Sequence, residues 1–195
     1  MNSKKVIFPI FILVALAQLS VPSKMIWDRE EVLENGKEFK FKTAPIDPSD
    51  PFRGKYIVLR YDETTVEIPK EHDWVRGEDI YVSLIKDKEG FAKIKSISKE
   101  KINENEDFVK AEVSFVTSYE TSELTIEYPF DRFYMEESKA YDAELSYTES
   151  LRDTTSVTYA LVSIKNGDAV LKDVLIDGIP IKELVKAKKE TEKQD

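Results

Sequence analysis

The sequence predicts a mainly β (α+β) domain, an antiparallel meander or sandwich-like fold with a few short helices, preceded by an N-terminal transmembrane or signal helix. Three observations predict it. Apolar and polar residues alternate through most of the chain after Lys37, Asn166-Gly167 separates two such stretches, and residues 6–21 form an apolar run behind Lys4 and Lys5. Period two is the spacing of half-buried strands, and a charged-then-apolar terminus is the order of an export signal.

The apolar run is 16 residues long and is interrupted only by Pro9, Gln18 and Ser20. Spanning the hydrocarbon core takes roughly 17 to 25 helical residues, so the run is a borderline span. Ala15-Leu16-Ala17 before Gln18 has the small-x-small form that signal peptidase accepts. Met25, Ile26 and Trp27 carry the apolar character past Lys24, and a tryptophan there suits the bilayer interface. Residues 1–27 therefore read as a signal anchor, with a signal peptide cleaved near Ala17 as the alternative. A buried core helix fits poorly, because the segment is apolar all round and terminal. Lys24, Arg29, Lys37, Lys40 and Lys42 outnumber Lys4 and Lys5, which by charge counting points the domain inward. Long folded domains translocate largely regardless of charge, however, so the expectation is a single-pass membrane protein with its domain on the extracytoplasmic side. Cleavage would make that domain secreted or periplasmic.

The alternating stretches are Phe39 and Phe41; Ile57, Leu59 and Tyr61; Ile80, Val82 and Leu84; Val109, Ala111, Val113 and Phe115; and Leu124, Ile126 and Tyr128. Asn166-Gly167 joins residues 157–164 to 169–176 as a hairpin, since a type I′ turn needs positive φ at both central residues. Asp87-Lys88-Glu89-Gly90 joins 80–86 to 91–97 in the same way. Residues 28–34 read as a helix stopped by Asn35-Gly36 in the manner of a C-cap, and residues 136–149 as a second helix with Tyr141 and Leu145 on one face. Pro180 opens a last helix through Ile181, Leu184 and Val185. The organisation expected is one domain over residues 28–185 and a charged, fraying tail over 186–195.

Composition removes several functions. The chain has 29 Lys plus Arg against 38 Asp plus Glu, a net charge of −9 that repels phosphate backbones, so no nucleic-acid partner is expected. Without cysteine there is no disulfide, thiolate metal site or thiol nucleophile. The hydrophobic content of 41% is enough to fold rather than remain disordered. The one histidine, His72, supports neither a multi-histidine metal site nor a Ser-His-Asp arrangement. Asp62, Glu63 and Glu67 lack the spacing of a calcium loop and read as a solvated strand edge. No phosphate-binding loop, H-E-x-x-H or G-x-S-x-G occurs, so no catalytic residue, metal or cofactor is expected.

One segment stands apart. Pro45-Ile46-Asp47-Pro48-Ser49-Asp50-Pro51-Phe52-Arg53-Gly54 sets three prolines and two aspartates before a strand over residues 55–61. Each proline fixes its own φ and biases its predecessor toward extended geometry, so the sequence predicts a stiff, irregular arm. Asp47 and Asp50 then have two readings. Their carboxylates cap turns by accepting backbone N–H bonds, or they line a ligand or partner groove with Arg53 while Gly54 lets another backbone approach.

Gly54, Tyr56, Leu59 and Tyr61 resemble the G-D-Y-x-x-L-x-Y motif of the GDYXXLXY protein family. The Asp-Pro lead-in, the N-terminal apolar segment, Asp131-Arg132-Phe133-Tyr134 with Glu136 soon after, and the closing hairpin ending at Asp177-Gly178 extend the resemblance over the whole chain. Lys55 departs from the motif by replacing its Asp, which leaves any role needing a carboxylate there without one. The resemblance implies a membrane-anchored protein of uncharacterised activity whose relatives often accompany multi-pass membrane proteins.

The leading expectation is a membrane-anchored interaction domain with Asp47, Asp50, Arg53, Gly54, Tyr56, Leu59 and Tyr61 as its candidate interaction motif. A ligand-binding β-domain is the second reading, favoured by a deep pocket beside Arg53. An enzyme alternative is a Ser/Lys hydrolase resembling signal peptidase, with Ser20 or Ser23 near the membrane and a desolvated lysine as base. Lys93 and Lys95 lie in polar strand contexts that disfavour such desolvation.

Overall fold

A computed structural model describes residues 3–44, 56–103, 105–118, 121–153 and 155–191. In chain order its elements are α1 (Ser3–Asn35), β1 (Lys37–Lys42), β2 (Tyr56–Val58), β3 (Thr65–Ile68), β4 (Asp79–Lys86), β5 (Ala92–Ser98), β6 (Phe108–Ser118), β7 (Ser122–Glu127), β8 (Arg132–Tyr134), α2 (Glu137–Arg152), β9 (Thr158–Lys165), β10 (Asp168–Ile176), β11 (Ile179–Pro180) and α3 (Ile181–Thr191). The alternating sequence produces a four-stranded sheet in the order β1-β9-β10-β11 and a five-stranded sheet in the order β3-β7-β6-β4-β5. The pair β2-β8 stands between other elements, and all strand pairings in these sheets are antiparallel. Phe39, Phe41, Val162 and Ile164 meet Ile80, Val82, Val109, Val113 and Leu124 in one hydrophobic core.

Both hairpins form on the turns expected. Asn166 and Gly167 have φ of 53° and 94°, the paired positive values a type I′ turn demands. Gly90 has φ of 87°, and the Asp87 carboxylate accepts the amides of Glu89 and Phe91 at 2.9 and 2.8 Å. Asp177-Gly178, at 52° and 82°, makes a second tight reversal between β10 and β11.

Four local expectations change. First, the apolar segment and the helix expected over 28–34 are one rod, α1, with Pro9 and Pro22 inside it. It ends at Gly36 without a left-handed cap, since Gly36 is not among the positive-φ residues. Glycine is required there for space: a Cβ would lie 2.3 Å from the Val32 carbonyl oxygen and 2.4 Å from Ser163 Oγ. Second, Phe115 points outward and is 51% exposed. A β-bulge between Val113 and Phe115 inserts Ser114 into β6, which reverses the inward and outward faces beyond it.

Third, α2 buries Ala140, Ala143, Tyr147 and Ser150, whereas Tyr141 and Leu145 face out. Alanines let the helix backbone approach the sheets closely, and this outweighs the apolar pairing of the larger side chains. Fourth, Pro180 closes β11 and does not open the helix; α3 starts at Ile181 and runs through Thr191, past the expected start of the tail. Ile181 and Val185 are fully buried, so packing carries the helix into the lysine-rich stretch.

Gly36→Ala forces a carbon into the Val32–Ser163 contact and is expected to destabilise the detergent-solubilised chain by about 2 kcal/mol, read as a lower denaturation midpoint. Asp173, next to the bulge in β10, is half-buried, and burial raises its carboxyl above the ordinary range. The unfolded chain therefore loses this proton first as pH rises, and folded stability falls through the raised pKa. Asp173→Asn is expected to raise the melting temperature at neutral pH, with the gain vanishing in acid where both states are protonated.

Candidate functional site

The motif strand binds on both edges. On one, Tyr56, Ile57 and Val58 pair with Tyr134, Phe133 and Arg132, and the Leu59 amide donates to the Asp131 carbonyl at 2.7 Å. On the other, Thr43 bridges Tyr61, the Ala44 amide donates to the Arg60 carbonyl at 2.9 Å and the Asp62 amide to that of Lys42 at 3.1 Å. The segment thus joins the end of β1 to β8. Alternation directs Ile57, Leu59 and Tyr61 into the core and leaves Arg60 exposed.

Tyr61 lies among Phe41, Tyr128 and Phe130, with ring centroids 5.0 to 5.9 Å apart across the four rings. Its hydroxyl donates to the Phe130 carbonyl at 2.6 Å, and that of Tyr128 to the Glu63 carbonyl at 2.9 Å. Burial holds both phenols well above their ordinary pKa, so they remain neutral donors. The buried Tyr147 hydroxyl is turned toward Thr43 and the Arg60 backbone without a well-formed hydrogen bond, and burial raises its pKa too. At the rim, Tyr56 stacks at a tilt on Tyr134 at 5.4 Å, with the Arg132 guanidinium 5.3 Å from the Tyr56 ring.

Beside this strand opens a cleft of about 620 Å³. Ala44, Val58, Arg60, Ser114, Phe115 and Asp131 are among its lining residues. The β6 bulge supplies its aromatic wall by turning Phe115 out, a recurrent use of bulges beside sites. The volume suits a small ligand with an apolar part, and Arg60 supplies a guanidinium at the wall. No cluster of metal-ligating residues occurs among the described residues.

Of the candidate interaction residues, Tyr56, Leu59 and Tyr61 come together on this strand, Leu59 and Tyr61 in the core and Tyr56 at its rim. Asp47, Asp50, Arg53 and Gly54, and Lys55 beside them, lie outside the described residues. Sequence reasoning missed Arg60, Phe115 and Asp131 as cleft residues. The trace of the bulge is Phe115-Val116, two adjacent apolar residues where strict alternation stops. Glu63, expected to solvate an edge, caps one: its carboxylate accepts the Ile94 amide of β5 at 3.0 Å and pairs with Lys93 at 2.5 Å.

Of the groups weighed for hydrolysis, Ser20, Lys93 and Lys95 have other partners. The Ser20 hydroxyl donates to the Ala17 carbonyl at 2.8 Å within α1. The hydrogen bond that Lys93 donates to Glu63 raises the Lys93 pKa, the opposite of what a general base needs, and Lys95 pairs with Glu106 at 2.9 Å.

A family profile described as GDYXXLXY protein matches residues 18–174. The chain belongs to the GDYXXLXY family. No curated protein and no solved structure matches it. The matched span runs from within α1 to β10 and contains the whole of the paired β2 and β8. The two internal segments that carry the resemblance, Tyr56 to Tyr61 and Asp131 to Tyr134, are hydrogen-bonded partners, which gives the GDYXXLXY motif a structural reason.

Removing the Tyr61 hydroxyl leaves the buried Phe130 carbonyl unpaired. Tyr61→Phe is therefore expected to lower stability by about 1 to 2 kcal/mol with an unchanged denaturant slope, whereas Tyr134→Phe, at an exposed ring, changes stability by less than about 0.5 kcal/mol, both read from denaturant unfolding.

Proposed function

We propose that this GDYXXLXY-family chain is a membrane-anchored interaction domain on the extracytoplasmic side, working with a membrane protein or an envelope component. The observation that carries the reading is α1. An apolar window within its span Ile7–Asn35 is long and hydrophobic enough to cross a bilayer, and none of that window is buried in the domain. A soluble protein gains nothing by exposing Ile10, Phe11, Leu13, Leu16 and Leu19 to water, whereas burying such side chains in hydrocarbon is favourable by about 1.5 to 3 kcal/mol each. A signal sequence satisfies the same test of length and composition. Retention is favoured because cutting after Ala17 leaves Leu19, Val21, Met25, Ile26 and Trp27 exposed on the remaining helix. The cleft beside the motif supports a ligand-binding β-domain as the second reading.

Full-length chain in native membranes is expected to resist alkaline extraction at its unprocessed mass and to be accessible to protease from the exterior. Leu13→Arg with Leu16→Arg is expected to release it. Crosslinking the anchored chain should capture membrane or envelope proteins, and substitution of Asp47, Asp50 and Arg53 should deplete that set. A cytosolic, unprocessed and freely soluble native chain overturns the anchor; an undiminished set of partners in every variant reduces residues 47–53 to a structural role.

A further inference from the structure

We propose that α1 and the four-stranded sheet move as one rigid body, so that the anchor holds the tip of the β9–β10 hairpin against the phospholipid headgroup layer. The inference rests on the membrane reading of α1 and extends it to which face of the domain meets lipid.

The apolar stretch of α1 ends at Trp27, and two residues later Arg29 Nη1 donates to the Ala169 carbonyl at 2.9 Å. At about 1.5 Å of rise per residue, only about 3 Å of helix axis separates the last apolar side chain from the first residue bonded to the domain. That leaves no length for a linker. The remaining contacts follow within two turns. Glu31 pairs with Lys165 at 2.6 Å, Val32 is 6% exposed, and the Val32 carbonyl accepts the buried Ser163 hydroxyl at 2.7 Å. The same carbonyl receives the Gly36 amide at 3.0 Å, and Lys172 pairs with Glu38 at 2.6 Å just beyond the helix.

Ser163, Lys165 and Ala169 bracket the turn Asn166-Gly167, so α1 lies across the tip of the hairpin. The tip is itself fastened to the second sheet, where the Lys110 amide donates to the Gly167 carbonyl at 2.9 Å. A rigid connection also requires that nothing between anchor and domain bends easily. Residues 23–35 contain neither glycine nor proline, and Pro22 lies on the membrane side of every docking contact. The polar, exposed Asn166 and Asp168 suit a hydrated headgroup region and not the hydrocarbon.

The absence of cysteine makes a paired-label experiment direct. Met25→Cys with Asp168→Cys, both exposed sites, is spin-labelled in the full chain, which is then reconstituted in phosphatidylcholine–phosphatidylglycerol nanodiscs. The expected result is a single narrow distance distribution, together with strong relaxation of the label at residue 168 by a nickel-chelating headgroup lipid. A long flexible Gly-Ser insert between Trp27 and Asp28 is expected to broaden the distribution severalfold and reduce that relaxation. A broad distribution in the parent chain, weak relaxation at residue 168 in the parent, or an insert without effect on either readout overturns the rigid body. A chain that does not enter the nanodiscs overturns the membrane reading as well, whereas one that inserts with a broad distribution overturns this inference alone.

Discussion

The strand of Tyr56 to Tyr61 is the constraint on which the rest of the domain depends, because its two backbone edges tie together segments far apart in the chain. Residues 42–44 on one side and 131–134 on the other are separated in sequence by the whole five-stranded sheet. Closing loops of that length costs chain entropy that grows only slowly with length, so a few well-formed backbone bonds and a buried aromatic cluster are enough to offset it. Alternation does the sorting. Three positions of the strand enter the core while Arg60 remains at the wall of the cleft, so one short segment both fixes the fold and borders the candidate site.

Much of this architecture was legible in the sequence, because the strongest signals are local. Asn166-Gly167 and the Asp87–Gly90 turn have backbone demands that few residues meet, and period-two alternation located β1, β4 and β7. The misread details were those decided by neighbours. Phe115 alternates correctly by sequence, but one inserted residue, Ser114, inverts it. Tyr141 and Leu145 look like a helix core stripe, yet Ala140 and Ala143 win the inner face because closeness of approach matters more than the size of the side chain. Gly36 reads as a conformational stop and is in fact a spatial one, visible only once Ser163 is known to lie above it.

The candidate site was legible in part. The motif residues Tyr56, Leu59 and Tyr61 and their partner segment, Asp131 to Tyr134, both carry the family resemblance, but the pairing between the two is long-range and leaves no periodic trace. The cleft was not visible at all. It arises from a bulge in β6 meeting a strand more than fifty residues earlier, and neither Arg60 nor Phe115 carries a sequence signal that distinguishes it from a surface arginine or a core phenylalanine.

On the membrane reading proposed above, an acidic domain beside a bilayer meets an electrostatic difficulty, since a net charge of −9 is repelled by anionic headgroups. Around the docked end of α1 four carboxylates are met by lysines: Asp28 by Lys24, Glu31 by Lys165, Glu38 by Lys172 and Asp107 by Lys37. As exposed pairs these add little to folding stability, up to about 1 kcal/mol each. Their effect on the local field is a different matter. The Debye length is about 8 Å at physiological salt, so charges farther up the domain are screened from the headgroups while those near the dock are not. Pairing these four carboxylates at this end lowers, on that reading, the repulsion that a negatively charged domain meets beside its own anchor.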